Sequence, residues 1–339
     1  MIISKTPFRM SFFGGGTDLP DWYLENGGQV LSSAIDKYCY ISCRYLPPFF
    51  EHKYRIVYSL IENVQHYSEI EHPSVRAILE YLECNKGLEI HHDGDLPARA
   101  GLGSSSSFTV GLLNSLYALN GKYKSSEELG NEAIHIEQNI IKENVGSQDQ
   151  LAVAHGGFNH IVFNDDGSHV VKPLVVSNER LMHLQGNLML FFSGLSRTAS
   201  EIEKDKIKNI KKRKQELNEI HNHVDVAIEL LNSTSSSVDD FGYLLNETWR
   251  IKKSLSDGVT TGLVDEIYET AINSGALGGK LLGAGGGGFL LLYVPKEKQM
   301  MVKQKLKNLI HVPFQFEKDG SRIVYFQPDK INGQFSDVV

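Results

Sequence analysis

Pro97-Ala98-Arg99-Ala100-Gly101-Leu102-Gly103-Ser104-Ser105-Ser106-Ser107 stands between a short strand-like stretch, residues 88–92, and a helical run with Leu112, Leu113, Leu116 and Leu119 on one side. Glycine lets a backbone approach a ligand closely. A helix start presents amides that lack intrahelical partners, together with the positive end of the helix dipole. Serine hydroxyls at such a place can bind phosphate or magnesium. A glycine turn with a serine cap would explain Gly-Leu-Gly-Ser alone. Four serines and two glycines at one helix entry point to phosphate. No Gly-Lys-Ser/Thr follows, so this is not a Walker A loop.

Three further constellations flank it. Upstream, Pro7-Phe8-Arg9 leads into Phe12-Phe13-Gly14-Gly15-Gly16-Thr17-Asp18, a glycine loop that can set a carboxylate on sugar hydroxyls or simply cap a helix at Asp18 or Asp21. Downstream, Gly146-Ser147-Gln148-Asp149-Gln150 puts Asp149 twelve residues beyond Glu137. Two carboxylates near a phosphate loop suit magnesium binding and hydroxyl activation, although such pairs are commonly just solvated. Last comes Gly283-Ala284-Gly285-Gly286-Gly287-Gly288. It fits GxGxxG, but a strand follows where a dinucleotide fold needs a helix. Five glycines exceed what a hairpin needs and imply a close backbone approach to something.

Strands are expected at 37–45 and 54–58, and a helix from Pro73. Ser125 to Glu128 forms a capping box opening a helix to about Lys142. Residues 156–163 and 169–176 make a hairpin around Asp165-Asp166-Gly167. The second half runs strand (187–192), helices (198–231, 238–255, 263–274), two strands (277–282, 289–294), helix (297–309) and strand (322–326). That is the order of a ferredoxin-like split βαβ layer. Two α+β domains joined near residues 165–185 are therefore expected.

Composition narrows the field. The chain has 339 residues, 41% apolar, and a net charge of −7, which disfavours a nucleic-acid or anionic-membrane surface as its main partner. No apolar run is long enough to span a membrane, and no signal peptide is visible. Three cysteines, Cys39, Cys43 and Cys84, form no CxxC and suggest buried thiols in the cytosol. Asp240-Phe241-Gly242 spells a protein-kinase triplet without its His-Arg-Asp and is taken as chance. His91 and His92 would point to opposite faces of a strand. His221 and His223, two apart on a helix, would not face one ligand.

Taken in order, the motifs resemble the GHMP kinases. Arg9 to Asp18, Pro97 to Ser107 (close to the family's P-x-x-x-G-L-G-S-S) and Gly283 to Gly288 span nearly the whole chain. The spelling Phe13-Gly14-Gly15-Gly16-Thr17-Asp18-Leu19-Pro20 is similar to bacterial D-glycero-D-manno-heptose 7-phosphate kinases and to fucokinases. Compact length, without a fused pyrophosphorylase, favours the former. The resemblance implies an α+β fold of two domains. Residues 1–170 would form an ATP-binding domain like the second domain of ribosomal protein S5, and 171–339 a ferredoxin-like domain, with the active site between them. It implies ATP and Mg²⁺ as cofactors and a small sugar phosphate as substrate, with no nucleic acid or membrane partner. Pro97, Arg99, Ala100, Gly101, Leu102, Gly103, Ser104, Ser105 and Ser106 would hold ATP. Glu137 and Ser105, or a serine one position away, would bind magnesium. Asp149 would take the proton of the attacking hydroxyl, with Arg9 as its partner. Gly15, Gly16, Thr17, Asp18, Gly146, Gly285 and Gly286 would contact the sugar. Arg197 and Thr198, at the start of the long helix, would hold its far-end phosphate, or merely cap that helix. The implied activity is phosphorylation of an anomeric hydroxyl in surface-polysaccharide synthesis. Fucose kinase activity and a catalytically inert sugar/ATP sensor are the alternatives.

Overall fold

The computed structural model describes residues 1–98, 100–194, 213–255, 258–283 and 285–328. Two sheets organise it. The first has eight strands. Its centre is the long strand Gly28–Tyr45, which pairs antiparallel with Ile2–Phe13 along one edge. Along its other edge it pairs with Phe158–Phe163 and then with Leu88–Gly94. The expected hairpin closes as Phe158–Phe163 against His169–Pro173. Burial explains why only residues 37–45 stood out as strand. Residues 28–35 are buried on both faces, and the alternation that marks a strand begins where one face opens.

Helices cover one face of this sheet. The helix Ser104–Leu119 lies so close to the first strand that a Cβ on Gly111 would come within 2.9 Å of Thr6 Oγ1. The expected capping box is present: the Ser125 hydroxyl accepts from the Glu128 amide, and the Glu128 carboxylate accepts from Ser125 N. That helix, Ser126–His135, widens into a π turn over Ile136–Ile140.

The second sheet has four antiparallel strands in the order Ile310–His311, Leu188–Phe192, Phe289–Tyr293, Gly278–Leu281. This is the ferredoxin-like order. Its fourth strand is Ile310–His311, not the expected Arg322–Phe326. The latter returns to the first sheet and pairs antiparallel with the first strand. The chain crosses over along 315–317, where Asp36 N and Glu317 N bond to carbonyls of the opposite segment. The two layers share a core. Phe12 and Phe13 meet Phe241 with ring centroids 5.6 and 5.0 Å apart, so the kinase-like triplet is a packing site. From the second sheet, buried Lys280 donates to the carbonyls of Ser11 and Phe12, both at 2.8 Å. His91 pairs with Glu89 while His92 meets Phe108, opposite faces as expected. His223 bonds Thr248, whereas His221 accompanies Gln29.

Candidate active site

Arg9 sits on the first strand, 4% exposed. Its Nε donates to Asp149 Oδ1 at 2.8 Å and one terminal nitrogen to Oδ2 at 2.5 Å. The other terminal nitrogen donates to Gly101 O at 2.8 Å, and the Arg9 amide donates to Leu102 O at 3.0 Å. One buried residue thus fixes both the glycine-serine loop and the carboxylate. The fork geometry is the strong, directional form of this contact. Asp149 lies in the first turn of the helix Gln148–His155. Its side chain is 27% exposed against 5% for Arg9, so the carboxylate keeps an open side with lone pairs to spare.

The loop enters its helix through Gly103, left-handed at φ 74°, with no side chain capping the helix start. Ala100 and Leu102 are buried and pin it. What the C-terminal glycine turn approaches is this loop. A Cβ on Gly283 would stand 2.4 Å from Gly101 Cα, and one on Gly101 would stand 2.3 Å from Leu282 O. Lys252 Nζ braces the turn from behind through Gly283 O at 2.8 Å.

Glu137 occupies the π turn, where the extra residue per turn swings a side chain out of helical phase; such turns recur at functional sites. It is 1% exposed. Ser106 Oγ donates to its Oε2 at 3.0 Å and Gln150 Nε2 to the same oxygen at 2.5 Å. Oε1 has no hydrogen-bond partner among the described residues. Burial pushes its pKa up to about 7, against the pull of Thr109, Gln150 and Ser106. A buried carboxylate with an orphaned oxygen beside a hydroxyl is a donor set for a hard cation. Among the described residues no three His, Cys, Asp or Glu side chains gather to hold a metal unaided, so phosphate oxygens would have to complete the shell. Ser105 is exposed, and Ser106, one position on, is the serine that touches Glu137.

Asp18 is buried beside this centre, within reach of the Asp149 charge. Its Oδ1 accepts from Gly16 N at 2.8 Å and its Oδ2 from Gln148 Nε2 at 2.9 Å. Burial raises its pKa, and the Asp149 charge adds to the rise. Residue 146 must be glycine, because a Cβ there would fall 1.8 Å from Asp18 Oδ2. The Thr17 hydroxyl is spent internally on Gly14 O (2.8 Å), Gln29 O (2.9 Å) and Gln29 N (3.1 Å), so it shapes the loop. Gly15 and Gly16 are half-buried at the loop's surface. Gly285 and Gly286 pack on Val259 instead of meeting Asp18 or Asp149 directly. Pro97 is exposed at the loop's start, and Arg99, Arg197 and Thr198 lie outside the described residues.

Sequence reasoning passed over Gln148 and Gln150, which flank Asp149 and hold Asp18 and Glu137. Their signal was present: two glutamines bracketing an aspartate in an otherwise apolar segment. Lys252 and Lys280 left the fainter sign of a charge in a buried stretch.

Known proteins share this arrangement of segments. Residues 69–157 match the GHMP kinases N terminal domain and residues 227–309 the GHMP kinases C terminal family. The chain is 29% identical to the D-glycero-alpha-D-manno-heptose 7-phosphate kinase of Campylobacter jejuni, over 94% of this chain and 97% of that one. It is 26% identical to the bifunctional fucokinase/GDP-fucose pyrophosphorylase of Arabidopsis thaliana, over 89% of this chain and 31% of that longer one. The crystal structure of a D-glycero-D-manno-heptose 1-phosphate kinase from Bacteroides thetaiotaomicron shares the fold with a TM-score of 0.71 at 23% identity, covering 96% of this chain and 100% of that one. Both halves of one enzyme family occur here in order, and the chain belongs to the GHMP kinases, phosphotransferases that use ATP and act on an alcohol group.

Proposed function

We propose that this enzyme transfers the γ-phosphoryl group of ATP to the anomeric hydroxyl of D-glycero-D-manno-heptose 7-phosphate, giving the 1,7-bisphosphate. The observation that carries the chemistry is the grip of Arg9 on both Asp149 and Gly101 O, which holds a half-open carboxylate against a phosphate-binding helix start. Support for the sugar comes from similarity to the Campylobacter enzyme along almost the full length of both chains.

In this reading the amides of the Gly101–Ser106 segment bind the ATP phosphates. Glu137, with Ser106, would hold magnesium, which neutralises charge on the phosphates when bound. Asp18 and the loop around it hold the sugar. Asp149 accepts the proton of the anomeric hydroxyl as its oxygen attacks the γ-phosphorus. The bond from that phosphorus to the bridging oxygen breaks, and ADP leaves with the electron pair. Arg9 keeps Asp149 in place throughout. The transition state is loose, so positioning and charge neutralisation carry most of the rate. An anomeric phosphate is the form from which nucleotide-activated sugars are built, which fits surface-polysaccharide synthesis. An ATP-consuming enzyme with reduced cysteines suits the cytosol.

A coupled ADP-release assay over heptose 7-phosphate, free heptose and fucose tests the assignment. The 7-phosphate should turn over best by a wide margin. Faster turnover of an unphosphorylated sugar would hand the site to a fucokinase-type reaction, and no sugar-dependent ADP release at all would leave a binding protein.

A further inference from the structure

Two buried oxygens beside the sugar loop have no use in the chemistry above. Ser11 Oγ and Gln148 Oε1 are both without a hydrogen-bond partner among the described residues. Their residues are 6% and 8% exposed. A buried polar atom without a partner is uncommon and calls for an explanation. Their placement supplies one. A Cβ on Gly15 would sit 3.6 Å from Ser11 Oγ and 3.8 Å from Gln148 Nε2, so both side chains flank the same missing side chain. Gln148 turns its amide nitrogen to Asp18 Oδ2 at 2.9 Å, which commits the donor end and leaves the acceptor end over. Ser11 is two residues from Arg9 on the strand and therefore shares its face. Gln148 directly precedes Asp149. Each orphan is thus neighbour to one member of the proposed catalytic pair.

We propose that Ser11 Oγ and Gln148 Oε1 together read one hydroxyl of the sugar next to the group held by Asp18, and that they set which sugar is accepted. The space left by Gly15 admits that hydroxyl. The chemistry fits: a hydroxyl can donate to the amide oxygen and accept from the serine, satisfying both orphans at once. A site built this way rejects an analogue lacking the hydroxyl far more strongly than an apolar pocket would. This inference rests on the sugar-kinase reading above and adds the residues of specificity.

The test is steady-state kinetics of the wild-type enzyme, Ser11→Ala, Gln148→Met and Gly15→Ala on heptose 7-phosphate and its monodeoxy analogues. The wild type should disfavour one analogue by roughly 10²-fold or more in kcat/KM. Ser11→Ala and Gln148→Met should each shrink that ratio about tenfold or more for the same analogue, with KM for ATP unchanged. Gly15→Ala meets only ordinary contacts and no positive φ. It should fold with the wild-type melting temperature yet raise KM for the sugar, so the proposal stays testable if Gln148→Met fails to fold. Ratios unchanged for every analogue, or the two substitutions acting on different hydroxyls, would overturn the pairing while leaving the kinase reading intact. A wild type inert on all sugar phosphates would remove both.

Discussion

Glu137 holds its charge against its surroundings, and that has a measurable cost. In the unfolded chain it titrates near 4.5, and in the fold near 7. Below the lower value both states carry the proton. Between the two, the folded protein keeps a proton that the unfolded chain has lost, so stability falls as pH rises through this window, by about 3 kcal/mol in all. Without magnesium, the wild type should therefore lose melting temperature between pH 5 and 8. Glu137→Gln should flatten that loss and raise the magnesium concentration needed for half-maximal rate. The same pH slope in the Gln variant would show that Glu137 is not the group responsible. Ser106→Ala should raise the magnesium requirement more than Ser105→Ala, because only Ser106 touches the carboxylate. The Glu137–Asp149 spacing was legible in the sequence. The choice among four consecutive serines was not, since it depends on the helix phase set by the left-handed Gly103.

At the scale of elements, the phosphate loop owes its position to another loop nearly two hundred residues away in sequence. Gly101 and Gly283 touch backbone to backbone, both at positive φ. Gly283→Ala should push the loop from its seat and weaken ATP binding about tenfold or more by calorimetry, a strained φ alone being worth roughly 1–3 kcal/mol. Gly121→Ala is the control, with φ +69° but open space around it, and should leave ATP affinity within about twofold. Equal effects of the two would mean that the contact between loops does not matter. The glycine excess at 283–288 announced a close approach, but its target could not be known from the chain alone. Elements with strong local signals, such as the capped helix at Ser125 and the Asp165-Asp166-Gly167 hairpin, were legible. The helix Gln148–His155 escaped because residues 150–154 are all buried, leaving no apolar stripe to detect.

The whole molecule is two sheets meeting over a shared core, with functional groups drawn from distant parts of one chain. Arg9, the loop at 101–106, Glu137 and Asp149 come together because the first strand, three helices and the glycine turn interlock. The second layer's order was legible from its run of elements. The return of Arg322–Phe326 to the first sheet was not, because a strand's pattern shows that it pairs and not with which edge. The same limit applies to Lys280, whose two bonds to the first strand join the layers. The central claim is that this assembly binds ATP and uses Asp149 to take a proton from a sugar hydroxyl. Its most direct test is Asp149→Asn, with single-turnover phosphoryl transfer to heptose 7-phosphate measured beside ATP binding on the same preparation. Transfer should fall by about 10²–10⁴-fold while the Kd for ATP stays within about twofold of wild type. Transfer at near wild-type rate would contradict the account.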